Sequence, residues 1–141
     1  MKVKEQSEDE KKKEYLSRYL YAKSGSEQIA REVEELKLAK MNPSSYRIDR
    51  MPRGARGGDL SEYVERLDKL ETRLIHKLTE KYCIYTEIID RLESMKDGTE
   101  SIVLRMRYIS GMKMSQIAEK LEYEERQVYR IYKRALKNFQ I

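Results

Sequence analysis

The chain has 141 residues, 39% hydrophobic and 39% charged, with two prolines, six glycines and a formal net charge of +5. Glu, Lys, Arg and Leu dominate and runs of Val, Ile or Thr are few, which argues against a thick β core and for an all-α chain of narrow-striped helices. One cysteine, Cys83, leaves no internal disulfide, and no stretch nears transmembrane length, so a soluble cytoplasmic protein with no membrane partner is expected.

Residues 1–8 are polar and expected to fray. From there Tyr15, Tyr19, Ala22, Ser26, Ile29, Val33 and Leu36 recur at steps of four and three, the stripe of one long helix over about 9–41. Ser24-Gly25-Ser26 interrupts it locally. The period runs through that tripeptide, so either one continuous helix or a break near Gly25 is compatible with it. Asn42-Pro43 then stops the helix.

The segment 42–58 reads as a loop carrying Arg47, Arg50, Arg53 and Arg56 against Asp49. It is either a solvated connection or an accessory nucleic-acid contact. Asp59 is the expected cap of a second helix over about 59–94, with Glu62 completing a capping-box pattern. Its apolar positions are Leu60, Tyr63, Val64, Leu67, Leu70, Leu74, Leu78, Tyr85, Ile88 and Leu92, with Lys81 the polar interruption. Two matched helices, each about 50 Å long, imply a long antiparallel helical hairpin packed like a coiled coil over residues 1–94. Leu16, Leu20, Leu38, Ile75, Tyr82 and Ile89 fall beside the seam. They are free to meet either the C-terminal segment or a second copy, and a homodimer is expected. Cys83 reads as a small packing residue.

From 97 to 141 the pattern changes to short helices. The first spans about Thr99 to Ser110, capped by Thr99, with Ile102, Val103, Met106 and Ile109 as its apolar side and Gly111 at its left-handed end. The second is Met114–Leu121, with the small Ala118 inside it. The third runs from about Glu124 to Asn138 and buries Val128, Ile131, Tyr132, Ala135 and Leu136. Two short helices across a tight turn, with alanine in the first and an apolar residue early in the second, form a helix-turn-helix pattern. On the outer side of the third helix, Arg126, Arg130, Lys133 and Lys137 make a basic stripe. In this reading Arg126, Gln127 and Arg130 meet base edges of double-stranded DNA, while Lys113, Ser115, Tyr129, Lys133, Arg134 and Lys137 hold phosphates.

The run Val103-Leu104-Arg105-Met106-Arg107-Tyr108-Ile109-Ser110-Gly111, followed by Ser115-Gln116-Ile117-Ala118-Glu119-Lys120-Leu121, resembles region 4 of bacterial sigma factors. The likeness continues through Arg126-Gln127-Val128 and Arg134-Ala135-Leu136. More narrowly, the whole chain resembles the ArpU/RinA-type late transcriptional regulators of phages and prophages of Gram-positive bacteria. Asp59-Leu60-Ser61-Glu62-Tyr63 stands where that group restarts its second helical region. The resemblance implies a DNA-binding regulator of late or packaging genes acting near promoters, with RNA polymerase as a further partner. Two positions depart from the pattern: Glu122 stands where such turns carry glycine, and Glu124 where serine or threonine caps the recognition helix.

No nucleophile motif, phosphate-cradling glycine loop or Cys/His cluster occurs, and His76 sits in a charged helix. No catalytic residue, metal, cofactor or small-molecule substrate is therefore expected, and the chain is not read as an enzyme. Two alternatives stand beside the regulator. One is an interaction protein that uses the hairpin against RNA polymerase or another regulator and binds DNA weakly. The other is a packaging protein resembling a small terminase subunit.

Overall fold

A computed structural model describes residues 7–41 and 56–141, with side chains at 7–41 and 60–141. Among the described residues the fold is all-helical, with five helices in the order α1 (Glu8–Met41), α2 (Arg56–Glu93), α3 (Gly98–Tyr108), α4 (Met114–Leu121) and α5 (Glu125–Asn138). The long first helix packs against the second. α1 opens on Ser7, whose Oγ accepts from the Glu10 amide at 3.3 Å, and its first turn holds Glu8, Asp9 and Glu10, favourable at the positive end of a helix dipole. It runs unbroken through Gly25. Ser26 is buried on the seam, and its hydroxyl bonds back to the Lys23 carbonyl at 2.8 Å, so the polar atom is satisfied without ending the helix.

α2 begins at Arg56, three residues before the expected start. Asp59 therefore lies inside its first turn rather than capping it. Arg47, Arg50 and Arg53 lie outside the described residues, as does the side chain of Arg56.

The chain divides into two compact units, Met1–Tyr21 with Lys81–Ile141, and Ala22–Glu80. This differs from a division into 1–94 and 97–141, and the reason is visible in the first unit's core. Leu16 of α1 and Ile88, Ile89 and Leu92 of α2 share one buried cluster with Leu104 and Tyr108 of α3, Ala135 and Leu136 of α5, and Phe139. Leu16, Ile88, Leu104 and Phe139 are wholly sealed from solvent. At roughly 1.5–3 kcal/mol per fully buried large side chain, no helix of this group is dispensable. α3 and α5 thus share this core with the base of the hairpin. Ser101 adds a polar tie, its Oγ donating to the Leu92 carbonyl at 2.8 Å.

In this unit the start of α1 runs antiparallel to the end of α2. Tyr15 Oη donates to Glu87 Oε1 at 2.7 Å and accepts from Arg91 Nε at 2.7 Å, and the Tyr19 ring packs on Tyr85. In the Ala22–Glu80 unit the helices are again antiparallel. Lys37 pairs with Glu71 at 3.5 Å, and the Lys40 ammonium lies 4.2 Å from the Tyr63 ring centre. Here Ala22, Ile29 and Val33 of α1 are buried, whereas Leu60 and Val64, expected on the seam, face solvent. Of the six residues beside the seam, Leu16 and Ile89 join the first unit's core, and Leu38, Ile75 and Tyr82 remain exposed. Leu20 is half-buried beside Gly111. Cys83 is exposed, not a packing residue, because it falls on the solvent side of α2. Among the described residues, no helix is long and apolar enough to cross a membrane.

Candidate nucleic-acid interface

α3 is the platform. Its N-cap is Asp97, whose Oδ1 accepts from the amides of Thr99 at 2.9 Å and Glu100 at 3.3 Å, so Thr99 is the second helical residue and not the cap. α3 ends at Tyr108, two residues earlier than expected. Ile109 and Ser110 donate to the Arg105 carbonyl, Met112 donates to the Met106 carbonyl, and Gly111 takes φ 70°, the left-handed turn that glycine enters without a Cβ penalty. Ile102 is exposed, and Leu104 and Tyr108 are buried in its stead. α3 has two inner faces, Val103 toward α4 and α5 and Leu104 with Tyr108 toward the hairpin base, so a single apolar stripe mispredicts it.

α4 and α5 cross over a small core of Val103, Met114, Ile117, Ala118, Val128 and Ile131. Ala118 and Val128 occupy the positions where the close crossing requires a small and an apolar residue. The amide of Lys113 at the head of α4 donates to Gln116 Oε1 at 2.9 Å. The turn is Glu122-Tyr123-Glu124. Glu122 takes φ 59° and ψ 38°, and the Tyr123 amide donates to the Ala118 carbonyl at 2.9 Å. The turn therefore has the left-handed geometry that glycine usually supplies, with glutamate held in it. Glu124 is the N-cap of α5 and makes no side-chain cap bond, which leaves that end of the helix uncapped by a hydroxyl.

α5 presents the basic stripe outward. At 100° per residue Arg126, Arg130, Lys133 and Lys137 fall within an arc of about 60°, opposite the buried Val128, Ile131 and Ala135. All four are exposed, as are Gln127 and Tyr129, and among the described residues no ion pair engages the four. Glu125 projects about 100° away from Arg126, so it flanks the stripe without entering it. Lys113 and Ser115 are exposed at the head of α4. The structure brings all of these onto the α4–turn–α5 surface. Arg134 is exposed beside the stripe, and its Nε donates to Glu100 Oε1 at 3.2 Å, with Glu100 only 3% exposed. Asn138 Nδ2 completes the site at 2.9 Å from Glu100 Oε2. The carboxylate joins α3 to α5, and Arg134 is engaged in part by that bond.

Three contacts behind the stripe carry no sequence signature of a functional site. Lys12 Nζ donates to the carbonyls of Leu136 at 2.8 Å and Lys137 at 3.2 Å, placing a cation at the negative end of α5. Arg91 Nη1 donates to the Gln140 carbonyl at 3.3 Å. Tyr108 and Tyr132 share a hydrogen bond between α3 and α5, and burial, with that bond, pushes the Tyr108 hydroxyl well above its ordinary value. Lys12 reads in sequence as one of three consecutive lysines early in the first helix, and Glu100 as an ordinary first-turn acid; only the tertiary fold distinguishes them. Among the described residues no cluster of His, Cys, Asp and Glu is placed to hold a metal ion.

The cationic ridge of α5 is electrostatically suited to lie along a polyanion. No curated protein and no solved structure gives a match to the chain. A family does match, over residues 57–140, more than half of the chain, reaching across nearly all of α2 and through α3, α4 and α5. The chain belongs to that family, described as "Protein of unknown function (DUF1492)".

Proposed function

We propose that this protein is a cytoplasmic, sequence-specific DNA-binding transcriptional regulator of the phage or prophage late-gene type. The observation that carries the reading is the exposed stripe of Arg126, Arg130, Lys133 and Lys137 on the second helix of a helix-turn-helix. Arg126, Gln127 and Arg130, in the first turns of α5, are the residues that read base edges in the major groove, where a guanidinium can span two acceptors of guanine. Lys133, Lys137 and Tyr129 along the helix, and Lys113 and Ser115 at the head of α4, contact phosphates and set the register. Arg134 contributes there only as far as its bond to Glu100 allows. The likeness of residues 99–139 to sigma-factor region 4 supports action near promoters, with RNA polymerase as a partner.

A second reading draws on the acids at the leading edge of the same surface. Glu122, Glu124 and Glu125 are exposed there and suit a basic protein partner better than a phosphate chain. One experiment separates the two. Double-stranded fragments are selected from a random pool by the full chain, and the enriched site is titrated with wild type and with the Arg126→Ala/Arg130→Ala variant. The DNA reading expects an enriched motif, and a loss of about 1–3 kcal/mol per arginine with relaxed base preference. No motif, or equal binding by the variant, removes it.

A further inference from the structure

Burial in the Ala22–Glu80 unit is one-sided. α1 seals Ala22, Ser26, Ile29 and Val33, all but the last two small, while α2 buries no residue between Leu60 and Glu80. Leu67, Leu70, Leu74 and Leu78 are half-buried over the α1 seam, and no described residue of the unit covers their outer flank. Leu60, Val64 and Ile75 stand farther out at 54%, 56% and 64% exposure. At 100° per residue, the positions of α2 from 60 to 80 that share one arc of about 60° are Leu60, Val64, Glu71, Ile75 and Leu78. Four are apolar, and the one charge, Glu71, is met by Lys37 at 3.5 Å. The ridge is about 27 Å long.

We propose that this ridge of α2 is the docking surface for a second copy of the chain, which places hairpin on hairpin as a four-helix arrangement. The charge balance selects the occupant. Over residues 22–41 and 60–80 there are eight basic and nine acidic side chains, 8 − 9 = −1. A near-neutral body gives no pull on a polyanion or on a strongly charged protein. An apolar ridge whose single charge is already paired is self-complementary, as a two-fold contact requires, and brings no unpaired like charges together within the arc. A copy of α2 supplies the leucine-flanked layer that the outer flank of the seam lacks. Two copies would carry two recognition helices, as paired DNA half-sites need. That use of the dimer rests on the DNA reading; the contact itself does not.

The test is the solution mass of the full chain at tens of micromolar, by light scattering, for wild type, Val64→Glu/Ile75→Glu and Leu38→Glu. Helicity at 222 nm is followed in each. Leu38 is exposed on α1, outside the ridge, and serves as the control. The proposal expects wild type and Leu38→Glu at twice the 16.9 kDa chain mass, and the double variant at 16.9 kDa with unchanged helicity. If the charged pair unfolds the chain, Val64→Ser/Ile75→Ser carries the same readout. A monomeric wild type, a double variant that stays dimeric, or equal dissociation of Leu38→Glu overturns the proposal. A dimer that binds no DNA removes the proposed function and leaves this surface standing.

Discussion

Glu122 holds a left-handed conformation that costs an ordinary L-residue about 1–2 kcal/mol, in the turn that joins the packed Ala118 of α4 to Val128 of α5. Glu122→Gly relieves that cost at some loss from the more flexible unfolded chain. We expect a net gain of about 1 kcal/mol and a melting temperature a few degrees higher, read by thermal unfolding. An unchanged or lowered midpoint would mean that the Glu122 side chain stabilises the turn by some other means. The same substitution removes an acid from the leading edge of the proposed DNA surface, so binding to duplex DNA is expected to hold or tighten. Glu100 shows the opposite case: a buried acid that stays because Arg134 and Asn138 saturate its oxygens.

At the level of elements, the helices are legible in the sequence wherever one face carries the packing. The period of α1 through Gly25, the eight residues of α4 and the buried side of α5 all follow from apolar spacing. Legibility fails where an element packs on two sides, or where only one helix of a pair is covered. α3 divides its apolar residues between two neighbours, so a single stripe misses Leu104 and Tyr108 and overvalues Ile102. Spacing alone puts Leu60 and Val64 of α2 on the seam because a two-helix seam is symmetric in sequence, whereas only α1 is covered in the fold. The α5 stripe is fully visible, since exposed charges at steps of three and four need no tertiary knowledge. The bonds that steady its far end, from Lys12 and Arg91, join residues more than forty positions apart and leave no local trace.

The contact that joins α1 to α2 near this end is pH-dependent in a definite direction. The Tyr15 hydroxyl, then Arg18, hold the Glu87 carboxyl below its ordinary 4.5, with burial opposing. A depressed carboxylate contributes stability above its unfolded value and loses it as pH falls through the folded one. Wild type should therefore shed stability below about pH 4.5 more steeply than Glu87→Gln, the two acid limbs converging at lower pH. Urea midpoints across pH 2.5 to about 6 read this, and superimposable acid limbs would contradict it. Because Glu87 is well exposed, the difference should be small.

For the whole molecule, the first unit implies that the helix-turn-helix is not a detachable module. A fragment of residues 97–141 lacks Leu16, Ile88, Ile89 and Leu92, which seal Leu104, Leu136 and Phe139. Such a fragment is expected to melt broadly and to bind DNA weakly. Circular dichroism of the fragment against the full chain checks this; a sharp, full-chain-like transition would show that the short helices are self-sufficient. The family match likewise runs across α2 into the short helices without a boundary at 97. The base of the hairpin then supports α5, and the near-neutral ridge of α2 is the proposed meeting place of two copies.

The central claim is that the α5 stripe lies along double-stranded DNA. Its most direct test is equilibrium binding of the full chain to the selected fragment and to an unrelated duplex, each at two salt concentrations. Lys113, Lys133 and Lys137 on phosphates predict a slope of log K against log salt of about −3 per bound copy, with the selected fragment bound more tightly at both. A slope near zero, with equal affinity for the two duplexes, would contradict it.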